Sequence, residues 1–326
     1  MRRSVIFSTG SYLPETVIHN EDLTQFPAEA IKLIGEKTGV FSRRIAAESE
    51  CTSDLAVRAA IQCLKKIDFP SDQVEGIILS TSSPDRMQPA TATRVQHIIG
   101  AKKAFAFDIN SVCSGSTYGI ALADALIKSG NYNNILLIAS EIYSRILNKK
   151  DFSTYPYFGD GAGATFFQFD KDASRGILHS CLRTDGSRCD TISVPAGGTM
   201  LPYEKITNFR LALFTMKGID VFNFAIDKGS EIILQMIREA DVSLQEIKCF
   251  VCHQANIHII QRISENLGIP AGLFYVNLHN YGNTASASVL IALDEIISEG
   301  IVSKGDLVLT IAFGGGLSWG ANLIRI

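Results

Sequence analysis

Ile109–Gly119 reads INSVCSGSTYG, and the organisation of the chain is read outward from it. A strand-like run, Lys103–Ile109, enters a small polar loop that holds Cys113. An apolar helix, Tyr118–Lys128, leaves that loop. Strand, tight turn and helix place Cys113 near a helix N-terminus, where unpaired N–H groups and the dipole favour an anion. A thiol there is expected to lose its proton readily, and the thiolate is the nucleophile. A cysteine can equally be a small buried hydrophobe, so the rest of the chain decides between the two.

With 326 residues the chain can hold one large or two ordinary domains. A hydrophobic fraction of 46% against 19% charge suits a well-buried globular chain rather than a disordered one. The net charge of −3 sets up no basic field for nucleic acid. Seven cysteines, an odd number without a regular framework, suggest a reducing compartment. The opening MRRSVIFSTGSYLP lacks the long apolar core of a signal peptide and reads as a first strand. No apolar run reaches the roughly 18 residues of a membrane span. A cytoplasmic protein with no nucleic-acid or membrane partner is expected.

Along the chain, Ser4–Thr9 reads as a strand, and Asn20–Phe26 and Ala28–Lys37 as short helices. Thr52–Ile67 reads as a helix with Ser53 as its N-cap candidate. Val74–Ser80 is a strand buried on both faces, Thr91–Ile99 a helix closed by Gly100, and Ile135–Ala139 another buried strand. Arg145–Tyr157 is irregular, and FGDGAGATFFQF (Phe158–Phe169) is a glycine turn into a strand.

The second half repeats this order. Helix Val221–Ala240 leads through Ser243–Gln245 to strand Ile247–Cys252, and helix Ile257–Leu267 ends at Gly268. Tyr275–Leu278 is the expected strand before HNYGNTASAS and helix Val289–Glu299. Leu307–Ala312 and FGGGLSWGANLIRI complete the copy. Gly130 and Gly300 close the matching helices, and Cys113 and Asn283 each stand 17 residues before them. The fold expected is an α/β, duplicated α-β-α-β-α five-layered sandwich with pseudo-two-fold symmetry. Each half contributes a mostly parallel sheet, and the Ala- and Ser-rich helices lie between. Residues 1–172 form the half with Cys113, and 173–326 the half with His253 and Asn283. Sites in α/β folds lie at the C-terminal ends of strands, which brings these residues together.

His253 ends the buried run KCFVCHQAN and by the repeat matches Thr81. A satisfied core histidine is one reading; beside a cysteine and an asparagine, a catalytic group is the other. Cys249, Cys252 and His253 spell C-x-x-C-H, a haem-attachment pattern. Both cysteines lie inside an apolar strand, which argues against haem or zinc. Asn283 can cap the helix that follows it, donate its amide into the site, or do both. The turn Gly314–Gly316 can supply backbone N–H groups to an oxyanion. Asp160 in FGDGAG reads as a turn and packing residue.

These stretches resemble a ketoacyl synthase III-type condensing enzyme of the thiolase superfamily, the 3-oxoacyl-(acyl carrier protein) synthase III family. The likeness covers nearly the whole chain. It is carried by GSYLPE (Gly10–Glu15), TSDLAVRAA (Thr52–Ala60), AFDINSVCSG (Ala106–Gly115), FGDGAGA (Phe158–Ala164), HQAN (His253–Asn256), YGNTASAS (Tyr281–Ser288) and FGGGLSWG (Phe313–Gly320). The resemblance implies a Cys113–His253–Asn283 triad with Gly315 in the oxyanion hole, and a homodimer. It implies decarboxylative Claisen condensation of an acyl thioester with a malonyl thioester, carried by coenzyme A or acyl carrier protein. No metal and no further cofactor is implied. Lys37, Gly218 and Asn256 fall where the family lines its pantetheine and phosphate channel.

The departures concern substrates. Leu33 and Phe152 stand where initiating members sandwich the adenine between tryptophan and arginine; Phe152 can still stack. Asn223, His258, Glu265 and Asn266 replace expected basic residues at the carrier-protein surface, with Arg262 and Lys217 as nearby substitutes. Gln88 stands at an acyl-pocket position that is often phenylalanine and is supplied across the dimer. These changes suggest a divergent paralogue serving a specialised lipid or polyketide pathway. Non-decarboxylating acyl transfer, or a non-catalytic partner subunit, are the alternatives.

Overall fold

A computed structural model describes residues 3–172 and 174–326. Ala173, at the boundary expected between the halves, and Met1 and Arg2 lie outside the described residues.

Two sheets carry the molecule. The first runs, in spatial order, Arg3–Tyr12, Gly161–Asp170, Asn134–Glu141, Gly76–Ser80 and Phe105–Ile109. The second runs Ile247–Cys252, Leu307–Gly314, Ser318–Arg325 and Gly176–Thr184. Their central strands Gly76–Ser80, Asn134–Glu141 and Leu307–Gly314 are buried at every residue. That burial is why they read as unbroken apolar runs rather than alternating ones.

Helices Gly115–Lys128 and Ala287–Ser298 lie between the sheets. The first packs on strands of both sheets, and so does the second. Helices Thr52–Lys65 and Thr91–Ile98 cover the outside of the first sheet; Gly218–Ala240 packs against the outside of the second, alongside Ile257–Leu267. The layers are therefore α-β-α-β-α. Small residues make the tight central stacking possible. A Cβ at Gly163 would stand 2.6 Å from Leu290 Cβ and 2.8 Å from the Ile291 amide nitrogen. The apolar core divides to match, into one cluster outside each sheet and one between them.

The repeat also holds in the connections. Ser71–Gln73 and Leu244–Glu246 are both single 3-10 turns that feed a buried strand. Gly130 and Gly300 end their helices with φ of 87° and 70°, values that suit glycine.

Several expectations are corrected. The sheets are mixed rather than mostly parallel. Gly76–Ser80 pairs in parallel with both neighbours, but Arg3–Tyr12, Gly161–Asp170, Ser318–Arg325 and Gly176–Thr184 pair antiparallel. A glycine turn such as Gly314–Leu317 reverses the chain, and a tight reversal joins antiparallel strands only. Asn20–Phe26 is one 3-10 turn, Asn20–Asp22, rather than a helix. Cys51, not Ser53, caps the helix that begins at Thr52, with Asp54 accepting the Cys51 amide at 2.9 Å. The helices expected from Tyr118, Val221 and Val289 begin earlier, at Gly115, Gly218 and Ala287.

Tyr275–Leu278 does not form a strand. Only the Phe250–Phe274 bridge and the Tyr275 amide on the Phe250 carbonyl remain of that pairing. The buried Gln254 side chain takes over the rest. Its Nε2 donates to the Cys252 and Tyr275 carbonyls, and its Oε1 accepts the Asn277 and Leu278 amides. A side chain that satisfies four backbone groups does the work of the absent ladder.

Candidate active site

Cys113 sits in a 3-10 turn, Val112–Ser114, that runs directly into the Gly115–Lys128 helix. The turn needs Val112 at a φ of 48°. It also needs glycine in the other half: a Cβ at Gly314 would stand 2.8 Å from the amide nitrogens of Cys113 and Ser114. The two halves thus touch through backbone at the nucleophile loop. Cys113 is 6% exposed, and burial pushes its thiol well above the ordinary cysteine value, with the Glu141 carboxylate adding to the rise. The expected ready loss of the proton is not met, because desolvation of a thiolate in an apolar pocket outweighs the helix N-terminus.

His253 follows directly on strand Ile247–Cys252, its amide donating to the Ile311 carbonyl at 2.7 Å. Its Nδ1 lies 2.7 Å from Ser288 Oγ. The Gln254 amide donates to that hydroxyl oxygen at 3.4 Å, so the hydroxyl proton is free to go to Nδ1. Nε2 then carries the ring proton. Burial lowers the imidazole from 6.5 to about 4, so the ring is neutral near pH 7.

Asn283 is tied down from three sides. Its amide donates to the Tyr157 carbonyl at 2.8 Å, and its carbonyl accepts from Gly159 at 3.0 Å. Its Oδ1 accepts the Ala285 amide at 2.8 Å, which leaves the Nδ2 donors for other partners. The expected helix cap is not made: Ser286 is the N-cap, and Asn283 instead closes the turn ahead of it, which leaves its amide for the donor role. The second central helix starts four residues after Asn283, whereas the first starts two after Cys113.

Cys113, His253 and Asn283 line one cavity of about 750 Å³, a size suited to a small-molecule site. Phe158, Phe214 and Phe313 supply its apolar inner wall, and Lys37, Gly218 and Asn256 lie along it as well. Asn256 holds this edge together: its Oδ1 accepts the His258 amide at 2.9 Å and its Nδ2 donates to the Lys37 carbonyl at 3.1 Å. Exposed Arg262 borders the cavity and pairs with Glu265 at 3.1 Å.

Phe152 is not brought to the cavity. Its ring packs inward, edge-on to Phe26 at 5.2 Å between centroids, and Ser153 lines the wall instead. Position along the chain was legible there; side-chain direction was not. Gly315 is not a lining residue either. It lies in the turn over the nucleophile loop, where a Cβ would stand 3.1 Å from Val112 Cγ2. Leu33 is 37% exposed and Gln88 is also exposed; neither lines the cavity of the single chain. Buried Asp160 accepts hydrogen bonds from Ala46 and Ser144, as suits a packing residue. Cys249 packs in the central cluster and Cys252 in the outer one, so the two thiols face opposite sides of their strand.

Sequence reading missed Ser288, Glu141, Ser82 and Tyr143. Ser288 was visible as the last residue of YGNTASAS, without a role. Glu141 is wholly buried and accepts from the Ser82 and Ser83 amides and from Ser286 Oγ. Burial raises its carboxyl above the usual range. Nothing in its local sequence marks it, because its partners come from distant segments.

A family model described as 3-Oxoacyl-[acyl-carrier-protein (ACP)] synthase III matches residues 107–186, and its C-terminal counterpart matches residues 237–326. The chain is 41% identical to a Beta-ketoacyl-[acyl-carrier-protein] synthase III of Clostridioides difficile, over 98% of this chain and 97% of that one. It is 40% identical to the protein of the same name from Ehrlichia chaffeensis, over the full length of both. The crystal structure of 3-oxoacyl-[acyl-carrier-protein] synthase III from Aquifex aeolicus superimposes with a TM-score of 0.90 at 36% identity, covering 99% of this chain and 100% of that one.

Proposed function

We infer the reaction from a premise the comparisons supply: the chain belongs to the 3-oxoacyl-[acyl-carrier-protein] synthase III family of enzymes. The reaction is a decarboxylative Claisen condensation in two steps. The observation that carries it is the convergence of Cys113, His253 and Asn283 on one cavity from loops far apart in the chain.

In the first step the Cys113 sulfur attacks an acyl thioester. The carbon–sulfur bond to the carrier breaks, and the thiol proton leaves with the carrier's sulfur. The Cys113 backbone N–H serves the tetrahedral oxyanion, and the Gly315 N–H, in the turn over the nucleophile loop, is the second donor this reading assigns although its residue does not line the cavity.

In the second step a malonyl thioester loses carbon dioxide, and negative charge develops on its thioester oxygen. His253 Nε2–H and Asn283 Nδ2–H donate to that oxygen. Both groups are neutral, so neither has to be discharged first, and each such donor is typically worth about 3 kcal/mol. The carbanion attacks the acyl carbon on Cys113. The cysteine sulfur departs and takes up a proton, leaving a 3-oxoacyl thioester. The proposed reaction calls for no metal and no redox cofactor: backbone N–H groups meet the tetrahedral oxyanion and the two side chains meet the enolate.

The substrates proposed are acyl and malonyl thioesters of coenzyme A or acyl carrier protein. Lys37 and Arg262, on the exposed edge of the cavity, suit an anionic carrier. A homodimer is also proposed. Phe105–Ile109 is the outer strand of the first sheet, half-buried along its length, and an outer strand offers a pairing edge. Sedimentation would test this, with a monomer at micromolar concentration as the contrary result.

The reaction is tested by mixing the chain with acetyl and malonyl thioesters. Release of carbon dioxide together with a 3-oxoacyl product is expected. An acyl adduct on Cys113 that never turns over with the malonyl thioester would overturn the condensation.

A further inference from the structure

We propose that Glu141 is a positioning residue for Asn283, acting through Ser286 to hold that donor in register with the half of the molecule that carries Cys113. The proposal rests on the reading above, in which Asn283 serves decarboxylation.

Glu141 ends the buried strand Asn134–Glu141 of the first sheet and is 0% exposed. Its two oxygens accept hydrogen bonds from the Ser82 and Ser83 amides and from the hydroxyls of Thr81, Ser82, Ser83 and Ser286. All but one of these donors stand at the exit of the neighbouring strand Gly76–Ser80. The exception is Ser286, which comes from the second half and donates to Oε1 at 2.7 Å. A buried carboxyl group bonded this fully is fixed in place, and so is the residue bonded to it from across the molecule.

Ser286 is itself 0% exposed and is the N-cap of the central helix Ala287–Ser298. It packs on the start of the helix that follows Cys113: a Cβ at Gly115 would stand 3.6 Å from Ser286 Cβ. Between Asn283 and Ser286 the chain passes through Ala285 at a φ of 47°, which a residue with a Cβ keeps only where its surroundings impose it. On one side the restraint is Asn283 Oδ1, which accepts the Ala285 amide at 2.8 Å. On the other it is the bond from Ser286 to Glu141. Once Ser286 is released the turn relaxes and Oδ1 loses the amide that orients it. The Nδ2 donors on the same planar group then lose their direction.

The test uses the full-length chain with acetyl-coenzyme A and carboxyl-labelled malonyl-coenzyme A. Cys113 loading is followed by intact mass, and decarboxylation by labelled carbon dioxide. Ser286→Ala should lower carbon dioxide release about tenfold, the effect of one orienting hydrogen bond, and leave loading unchanged. Glu141→Gln keeps the side-chain length and one oxygen of the two, and should lower release about threefold. In an Asn283→Ala background each substitution should change the residual release by less than about twofold, because the donor they position is gone. Glu141→Gln should likewise add nothing to Ser286→Ala. Thermal melts identify a variant that fails to fold, and either substitution carries the comparison without the other. Equal loss of loading and release would overturn the proposal, since a general structural defect slows both. So would an undiminished effect of either substitution in Asn283→Ala. No carbon dioxide from the unaltered, acetyl-loaded chain would instead remove the condensation reading, and the proposal with it.

Discussion

The Ser288 hydroxyl lies 2.7 Å from His253 Nδ1, joining the end of a strand in the second sheet to the first turn of a central helix. With the hydroxyl donating to Nδ1, this bond leaves the ring proton on Nε2. Ser288→Ala should lower condensation about tenfold through loss of one orienting hydrogen bond. Loading of Cys113 should be unaffected. Single-turnover acylation beside steady-state product formation separates the two, and equal loss in both would contradict the role.

Asn283→Asp keeps an oxygen for the Ala285 amide, so the turn should hold its shape. It replaces a neutral donor by a carboxylate facing the developing enolate. Carbon dioxide release should fall by about 100- to 1,000-fold, the range for loss of one oxyanion donor. Acylation of Cys113 should persist in intact-mass spectra.

Cys113→Ala should remove the acyl adduct altogether. The substitution deletes a single buried sulfur, so folding should survive and the melting curve should show it. An adduct of ordinary mass in this variant would place the nucleophile elsewhere.

The buried His253 titrates near 4 in the folded chain, below the ordinary imidazole value of 6.5. Between these two values the unfolded chain holds more protons than the folded one, so this group's share of stability rises with pH. It is fully present above about 6.5 and is lost as pH falls through about 4. Condensation should accordingly be flat from about pH 6 upward with respect to this residue and decline in acid. A His253 NMR titration with a midpoint near its ordinary value would refute the assignment.

Gly163→Ala tests the layering itself. The added methyl would press on Leu290 and the Ile291 amide, both in the central helix. Overpacking of this kind costs about 1–3 kcal/mol, which a denaturant midpoint would register.

Much of the architecture was legible because duplicated spacings survive in a linear chain. The glycine stops at Gly130 and Gly300, and the twin turns at Ser71–Gln73 and Leu244–Glu246, can be matched without coordinates. The strand expected at Tyr275–Leu278 fails because pairing is a property of two segments. Here Gln254 supplies the hydrogen bonds that a neighbouring strand supplies in the first half.

By itself the sequence determined which residue types stand at which chain positions: a cysteine, a histidine and an asparagine, each at the exit of a strand or turn. Tertiary structure alone decided that they share a cavity, that Phe152 turns away from it, that Ser288 holds the His253 ring and that Tyr143 packs beside Cys113. It also decided the protonation of both groups. A pKa depends on burial and on neighbours brought in from distant segments, and neither is written in local sequence.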